Sequence, residues 1–355
     1  QGDKQKANHT FTTMVSFTIF LGAILTVIGI AVIRPVCVLL GATPEMIEGC
    51  VVYGRVTIAF TAAFMLQNVF QSFLAAAEKP KLGLFVTVVA GLTNAVLDAV
   101  FIAGFRWGLA GAALATGIGQ ALSTGIYLVV YASTELPVRL RRACLKLDKE
   151  LDTRLYSIGI PAILNLALPS LLVTFLNSLL AAFSGSYVVV LGIYYKLQTF
   201  LYLPANGIVQ GMRPLISYNY GAGEHKRVRR LYQITLILSA AIMAAGTLGC
   251  LVASEPLMRL FTSTPETVEA GKVALRIICL GFVVSAISTT SSGALEGLGK
   301  GTQSLVISLC RYIVFIMLLA WVLCRQFGPV GVWNAFWATE VLSAIVSLIV
   351  YKKSV

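Results

Sequence analysis

The sequence predicts an all-α polytopic membrane protein, with about ten transmembrane helices in two lobes that are parallel repeats. Three observations lead to this prediction. Apolar residues make up 57% of the 355 residues and charged residues only 12%, about half the charged share of an ordinary soluble domain. Apolar runs of about 20 residues, the length that spans a bilayer, recur between short polar breaks. Finally, two parts of the chain repeat each other in one register.

The apolar runs predict ten spans. We do not expect the first to be a cleavable signal peptide, because no short apolar core with a cleavage site follows a basic region. The predicted spans lie at roughly 11–33, 51–76, 82–103, 108–131, 155–181, 186–213, 229–253, 270–295, 302–324 and 329–351.

The basic residues predict how the chain is oriented. Most of them lie in loops on one side, including the cluster from Arg139 to Arg154. Cytoplasmic loops carry such an excess, so we expect a plasma-membrane protein with both ends of this chain in the cytoplasm. Because this bias accounts for the net charge of +12, we infer no nucleic-acid partner, and membrane lipids are the expected surface partner.

The repeat predicts the domain organisation. Thr43-Pro44-Glu45 recurs as Thr264-Pro265-Glu266, and "GDKQKA" resembles "GEHKRV" at the same shift of 221 residues. Both copies enter from the cytoplasmic side, as in parallel transporter repeats. We therefore expect an N-terminal lobe of four spans at 1–131, a basic cytoplasmic connector at 132–153 and a six-span C-terminal lobe at 154–355. Against a six-plus-six ancestral design, we expect that two helices before residue 1 are missing from this chain.

An amide and a carboxylate lie within the third predicted span, "GLTNAVLDAVFIAG". Asn94 and Asp98 are four residues apart, so they share one face of the helix. A charged side chain at the centre of the bilayer costs about 2.5–3.5 kcal/mol on insertion scales. Asp98 therefore faces the bundle interior, carries a proton or holds a cation. A hydrogen-bonded interior aspartate without a role in turnover is the alternative.

Polar residues within the C-terminal spans are candidates for lining a substrate cavity. Arg311 could instead pair with Glu340, and interhelical hydrogen bonds would explain the amides equally well. Pro204 and Gly207 are expected to break the sixth span, as a pivot, a ligand-lining element or a tolerated kink. The cavity candidates are Glu340, Arg311, Lys196, Gln198, Gln210, Asn165 and Asn177.

Four stretches resemble one family across the whole chain. They are "YYKLQTFLYLPANGIVQGMRPLISYNYGAGEHKRVRR", "LAAAEKPKLGL", "NAVLDAVFIAGFRWGLAGAALAT" and "FGPVGVWNAFWATEV", and they are similar to the multidrug and toxic compound extrusion (MATE) family. The resemblance implies a cation pocket formed by Asn94, Asp98, Thr116 on the following helix and Gln71 on the preceding one. The coupling ion, Na⁺ or H⁺, stays open. No other cofactor is expected, and no metal beyond Na⁺ at Asp98.

The leading hypothesis for the function is a monomeric secondary antiporter. It would export small amphipathic or cationic organic compounds, such as drugs and toxins, in exchange for Na⁺ or H⁺ by alternating access. One alternative is a flippase of lipid-linked precursors, and another is a membrane sensor or an inactive fragment that transports nothing. An enzyme is not expected, since the sequence contains no catalytic triad, metal-ligand cluster or nucleotide-binding fingerprint.

Overall fold

The computed structural model describes residues 4–39, 47–77, 79–134, 138–140 and 149–354. Within these ranges the chain is mostly helical and contains no strand. The α-helices are α1 (Lys4–Leu39), α2 (Ile47–Ala59), α3 (Thr61–Ala76), α4 (Pro80–Asp98), α5 (Gly108–Ser133), α6 (Lys149–Ala181), α7 (Gly185–Gly221), α8 (His225–Val252), α9 (Ser254–Arg259), α10 (Pro265–Ile278), α11 (Phe282–Gly297), α12 (Gly301–Leu309), α13 (Ile316–Phe327) and α14 (Pro329–Ser354).

The predicted all-α membrane fold is confirmed. Nine helical stretches of the described residues are long and apolar enough to cross a bilayer, and α2 with α3 supplies a tenth candidate that is bent by 48°. The bend falls at Phe60, within the predicted span 51–76. Large apolar side chains such as Leu166 and Val252 are more than four-fifths exposed. Such surfaces suit contact with lipid rather than water.

The chain divides into two compact units, Gln1–Lys149 and Glu150–Val355. The division falls inside the predicted connector at 132–153. Residues 135–137 and 141–148 of that connector, and the first copy of the Thr-Pro-Glu repeat at 43–45, lie outside the described residues.

The core of the first unit joins α1, α3, α4 and α5 through aromatic side chains. The rings of Phe11 and Phe73 stack with centroids 4.2 Å apart, and Phe70 is almost completely buried beside them. At the same end, the hydroxyl of Tyr127 on α5 donates a hydrogen bond to the carbonyl of Gly83 on α4, at 3.1 Å. These contacts hold α5 antiparallel to α4, which sets Thr116 opposite Asn94.

Helix α7 in the second unit runs without a break from Gly185 to Gly221, through Pro204 and Gly207. The prediction that these two residues interrupt the span is therefore wrong. A proline in a helix loses one backbone hydrogen bond and crowds the preceding turn, and packing against neighbouring helices is enough to tolerate that within a membrane bundle. Tyr194 and Tyr202, on the same helix, are buried in the core of this unit.

The irregular helical segments lie elsewhere. Helix α4 continues after Asp98 as a π-helical segment, Ala99–Gly104, and a second π-helical segment, Cys310–Phe315, joins α12 to α13. Segments of this kind occur frequently at functional sites. The first begins directly after Asp98 and the second contains Arg311.

Candidate ion site and substrate cavity

Asn94 and Asp98 on α4 and Thr116 on α5 form the candidate ion site. The Asn94 Nδ2 amide donates to the Thr116 Oγ1 hydroxyl at 3.4 Å, and that hydroxyl donates to the carbonyl of Ala112 at 3.0 Å. Asp98 lies one helical turn beyond Asn94 on the same face. The structure thus brings three oxygen-bearing side chains to one region of the α4–α5 pair.

Among the described residues, Asp98 has no basic partner that neutralises it. Its Oδ1 atom is buried and lacks a hydrogen-bond partner among the described residues. None of the ion pairs in the described part of the chain includes Asp98. A buried carboxylate oxygen without a partner is costly, and it is the group to which a proton or a cation would add.

Gln71 lies away from this site. Its Cγ and its backbone oxygen are each 3.9 Å from the position that a Cβ would take on Gly83. Gly83 precedes Asn94 by eleven residues in α4, which is about 16 Å along the helix axis. The structure therefore does not bring Gln71 to Asn94. The sequence thus predicted a suitable type of side chain on α3, but Gln71 lies at a different depth along the helix axis from Asn94.

The bend at Phe60 packs beside the candidate ion site instead. Gly117 follows Thr116, and a Cβ placed on Gly117 would lie 2.1 Å from Phe60 Cδ2. Only glycine allows the Phe60 ring to approach α5 this closely. The packing that sets the bend between α2 and α3 is thus adjacent to the side chain that contacts Asn94.

A cavity of about 700 Å³ lies inside the second unit, with walls from α6, α7, α11, α14 and the α12–α13 stretch. Five of the predicted residues line it, namely Asn165, Gln198, Gln210, Arg311 and Glu340. A volume of this size is within the range of small-molecule sites. The wall also contains Tyr195, Tyr202, Tyr312 and Phe336, which offer aromatic surface to a ligand.

Lys196 and Asn177 are absent from the described wall of this cavity. Lys196 is exposed, and its ammonium group lies 5.9 Å from the centroid of the Phe261 ring. It precedes Gln198 by two residues, about 200° around a helix of 3.6 residues per turn. The prediction that these two residues line the cavity is therefore corrected.

Arg311 and Glu340 form an ion pair at one end of the cavity. The Arg311 Nε donates to Glu340 Oε1 at 3.1 Å, and a second guanidinium nitrogen donates to the same oxygen. The two side chains are only 13% and 11% exposed. The pairing that the sequence left open is present, and the other carboxylate oxygen, Glu340 Oε2, is buried without a hydrogen-bond partner among the described residues.

A second ion pair lies at the other end of the cavity, and sequence reasoning missed it. Arg213 Nη2 is 2.6 Å from Glu296 Oε2. Ser304 donates to Glu296 Oε1 at 2.9 Å, and Asn165 Nδ2 lies 3.4 Å from the same oxygen. The sequence did contain a signal for this pair. Arg213 ends one predicted span and Glu296 directly follows another, and both spans end on the side of the basic loops, so the two opposite charges are expected at similar depth.

The two ion pairs are well separated along α11. Gly281, just before that helix, faces the Cγ of Glu340, and Gly293 faces the Nε of Arg213. The twelve residues between these glycines correspond to a rise of about 18 Å. The cavity therefore has a charged pair at each end and mostly uncharged side chains between them.

A bundle of this many apolar helices enclosing a polar cavity is the construction of a multi-pass membrane transporter. The chain belongs to the MatE family, since residues 1–100 and 161–322 match the model of that family. Its family is one of transporters and not of enzymes.

Relatives and solved structures resemble the chain over nearly its whole length. It is 26% identical over 353 residues to the multidrug export protein MepA of Staphylococcus haemolyticus, covering 98% of this chain and 77% of that protein. An outward-facing multidrug resistance MATE family transporter of the MOP superfamily has the same fold, with a TM-score of 0.92 and 21% identity over 99% of this chain and 79% of that one. A MOP superfamily transporter from Pyrococcus furiosus gives a TM-score of 0.93 at 20% identity, again with 99% and 79% covered.

Proposed function

We propose that the protein is a secondary antiporter that exports amphipathic organic compounds, cationic ones among them, in exchange for Na⁺ or H⁺. The observation that carries this proposal is the buried Asp98 Oδ1, which lacks a hydrogen-bond partner in the described residues. The multidrug export proteins to which the chain is similar support it. We further propose that it acts as a monomer in the plasma membrane with both ends of the chain cytoplasmic, as the basic loops indicate.

Ion entry would act on the candidate ion site in the first unit. Asp98, Asn94 and Thr116 offer carboxylate, amide and hydroxyl oxygens, which suit a hard cation such as Na⁺. A proton would instead bind the carboxylate alone. Either ion removes the uncompensated charge of Asp98, and one charge crossing 100 mV releases about 2.3 kcal/mol. We propose that this neutralisation biases the equilibrium between inward-open and outward-open states, which drives export.

The cavity in the second unit offers little to a phosphate-bearing lipid precursor. Arg213 and Arg311 are its described cationic lining residues, and each is paired with a glutamate. A flippase that bound pyrophosphate would need basic groups free to meet that anion. Export of an organic compound is therefore preferred over flipping of lipid-linked precursors.

The test is efflux from vesicles under a Na⁺ gradient alone and a proton gradient alone. We expect Asp98→Asn to abolish gradient-driven efflux, because the neutral amide has no charge for an ion to compensate. The matched control is Glu48→Gln, which removes a carboxylate from an exposed pair with Arg34 in the same unit and should leave efflux intact. Unchanged efflux by Asp98→Asn at equal expression would refute the proposal, and the gradient that drives the wild type identifies the ion.

A further inference from the structure

A second cavity, of about 490 Å³, lies between the end of α7 and the start of α8. It shares no described lining residue with the substrate cavity. Three of its five described lining residues are cationic and none is acidic, so we call it the basic groove. A concave site with charges of one sign attracts ligands of the opposite sign. The lining residues are Asn219, Lys226, Arg227, Arg230 and Leu231.

Most of the positive charge in the basic groove is uncompensated. Neither Lys226 nor Arg230 takes part in any ion pair of the described residues. Arg227 lies 4.0 Å from Glu224, but both side chains are more than half exposed, and an exposed pair of this kind is weak. Lys226 and Arg230 are four residues apart on α8, so they share one face of the helix. Two such cations suit a phosphate group, whose oxygens accept charge-assisted hydrogen bonds from both.

The face of α8 that carries these cations continues as exposed apolar surface. Ile234 follows Arg230 by four residues and Leu238 follows by another four, so all three share that face. Both apolar side chains are 46% exposed. On α7, Leu215 precedes Asn219 by one helical turn and is 51% exposed. The basic groove therefore lies at the end of an apolar strip on two helices that are long and apolar enough to cross a membrane.

This order of groups distinguishes a lipid from a soluble anion. A soluble phosphate would use the cations of the groove and gain nothing from Ile234 or Leu215. A phospholipid has a charged phosphate followed by acyl chains, in the same order as the groove and the strip. Basic residues directly beside a transmembrane helix are typical of sites that attract anionic headgroups.

We propose that the basic groove binds the headgroup of an anionic phospholipid. The phosphate contacts Lys226 and Arg230, and the acyl chains lie along Leu215 and Ile234. This binding site is separate from the candidate ion site and from the substrate cavity. Binding of the lipid does not depend on transport, so it can be measured without an ion gradient.

The test measures which lipid lies against the apolar strip. Ile234→Trp places an indole there, and brominated acyl chains quench indole fluorescence on contact. The protein is reconstituted in vesicles of equal parts phosphatidylcholine and phosphatidylglycerol, with one lipid or the other brominated. The signal from position 234 is the difference from the same protein without Ile234→Trp. We expect phosphatidylglycerol to be preferred about fivefold over phosphatidylcholine at this position.

Removal of the two groove cations should abolish this preference. In Lys226→Gln with Arg230→Gln, we expect the two lipids to bind about equally. The matched control is Arg229→Gln with Lys353→Gln, which removes two exposed positive charges from the same end of the unit, where α14 meets the start of α8. Arg229 is about 100° from Arg230 around the helix, so the control should keep the preference.

Quenching in vesicles of brominated phosphatidylcholine alone should be equal in both double variants, because the apolar strip is unchanged. Loss of the preference in both double variants would attribute the attraction to overall charge and overturn the proposed site. Equal binding of the two lipids by the protein with all four cations would overturn it as well. Glycerol 3-phosphate should not compete; displacement of phosphatidylglycerol by it would assign the groove to a soluble anion instead of a lipid.

Discussion

Asp98 in the first unit and Glu340 in the second are both carboxylates on spans, yet their surroundings differ. Glu340 is paired with Arg311 through two donor nitrogens, whereas Asp98 takes part in none of the described ion pairs and keeps a buried oxygen without a partner. Each residue lies beside or opposite a π-helical segment, so local helix geometry does not distinguish them. The presence of a compensating arginine does.

This difference separates two ways of keeping charge inside a membrane. In a buried ion pair each charge compensates the other, so no mobile ion is needed. An uncompensated carboxylate within a span is costly, and that cost falls when a mobile cation or a proton binds it. This difference supports our proposal that the first unit couples the ion and that the cavity of the second unit binds the substrate. Both roles can be tested by removing the arginine partner of Glu340 and, separately, the charge of Asp98.

The largest effect is expected from removing one partner of the compensated pair. Arg311→Met should lower the free energy of unfolding by about 3–5 kcal/mol, because Glu340 is left buried and unpaired. The double variant Arg311→Met with Glu340→Met should recover most of that loss. The stabilities of the single and the double variant can be measured by unfolding each protein in mixed micelles with increasing SDS.

Asp98→Asn supplies the other half of this comparison. It leaves no partner charge behind, so we expect no loss of stability, or a small gain, by the same measurement. If Asp98→Asn lowers stability as much as Arg311→Met, a partner of Asp98 compensates it and the distinction between the two units fails. If the double variant is no more stable than Arg311→Met, the pair contributes to stability through packing rather than through charge.

A smaller effect is expected from the packing beside Asp98. Gly117→Ala would place a Cβ 2.1 Å from the ring of Phe60, and overpacking of this kind costs about 1–3 kcal/mol. Since the ring must move, we also expect weaker ion-dependent efflux. Gly125→Ala is the matched control, because a Cβ on that residue of the same helix meets nothing within 4 Å.

The double variant Gly117→Ala with Phe60→Leu tests the cause of the expected loss of stability. A smaller side chain at the bend should restore stability if the contact between the ring and the new methyl group is responsible. Equal stability of the Gly117 and Gly125 variants would show that the bend adapts freely, and equal ion-dependent efflux would show that the candidate ion site does not depend on the bend.

The sequence predicted the helical fold and the single polar or charged residues within spans, because both follow from composition along one segment. Asn94, Asp98, Arg311 and Glu340 were found in this way. Prediction from the sequence failed where membership of a site depends on a residue's depth in the membrane or on its angular position around the helix. Gln71 and Lys196 are of suitable types but lie at the wrong height and on the wrong face, respectively.

Local rules also misjudged the backbone. Pro204 suggested a break, yet α7 continues through it, and the irregular turns occur in the π-helical segments, which contain no proline. Proline has a known local cost that neighbouring helices can absorb. A π-helical segment depends on how one helix fits its neighbours, which a single sequence does not display. The pair Arg213–Glu296 was missed for the related reason that its members lie on distant segments.

The smallest effect is expected at that missed pair, through Glu296→Gln. Both side chains are partly exposed, at 35% for Arg213 and 23% for Glu296. The glutamine oxygen can still accept from Arg213 and from Ser304. We therefore expect a loss of only about 1 kcal/mol in the unfolding titration. A loss as large as that of Arg311→Met would show that the two ends of the cavity depend equally on charge for their stability.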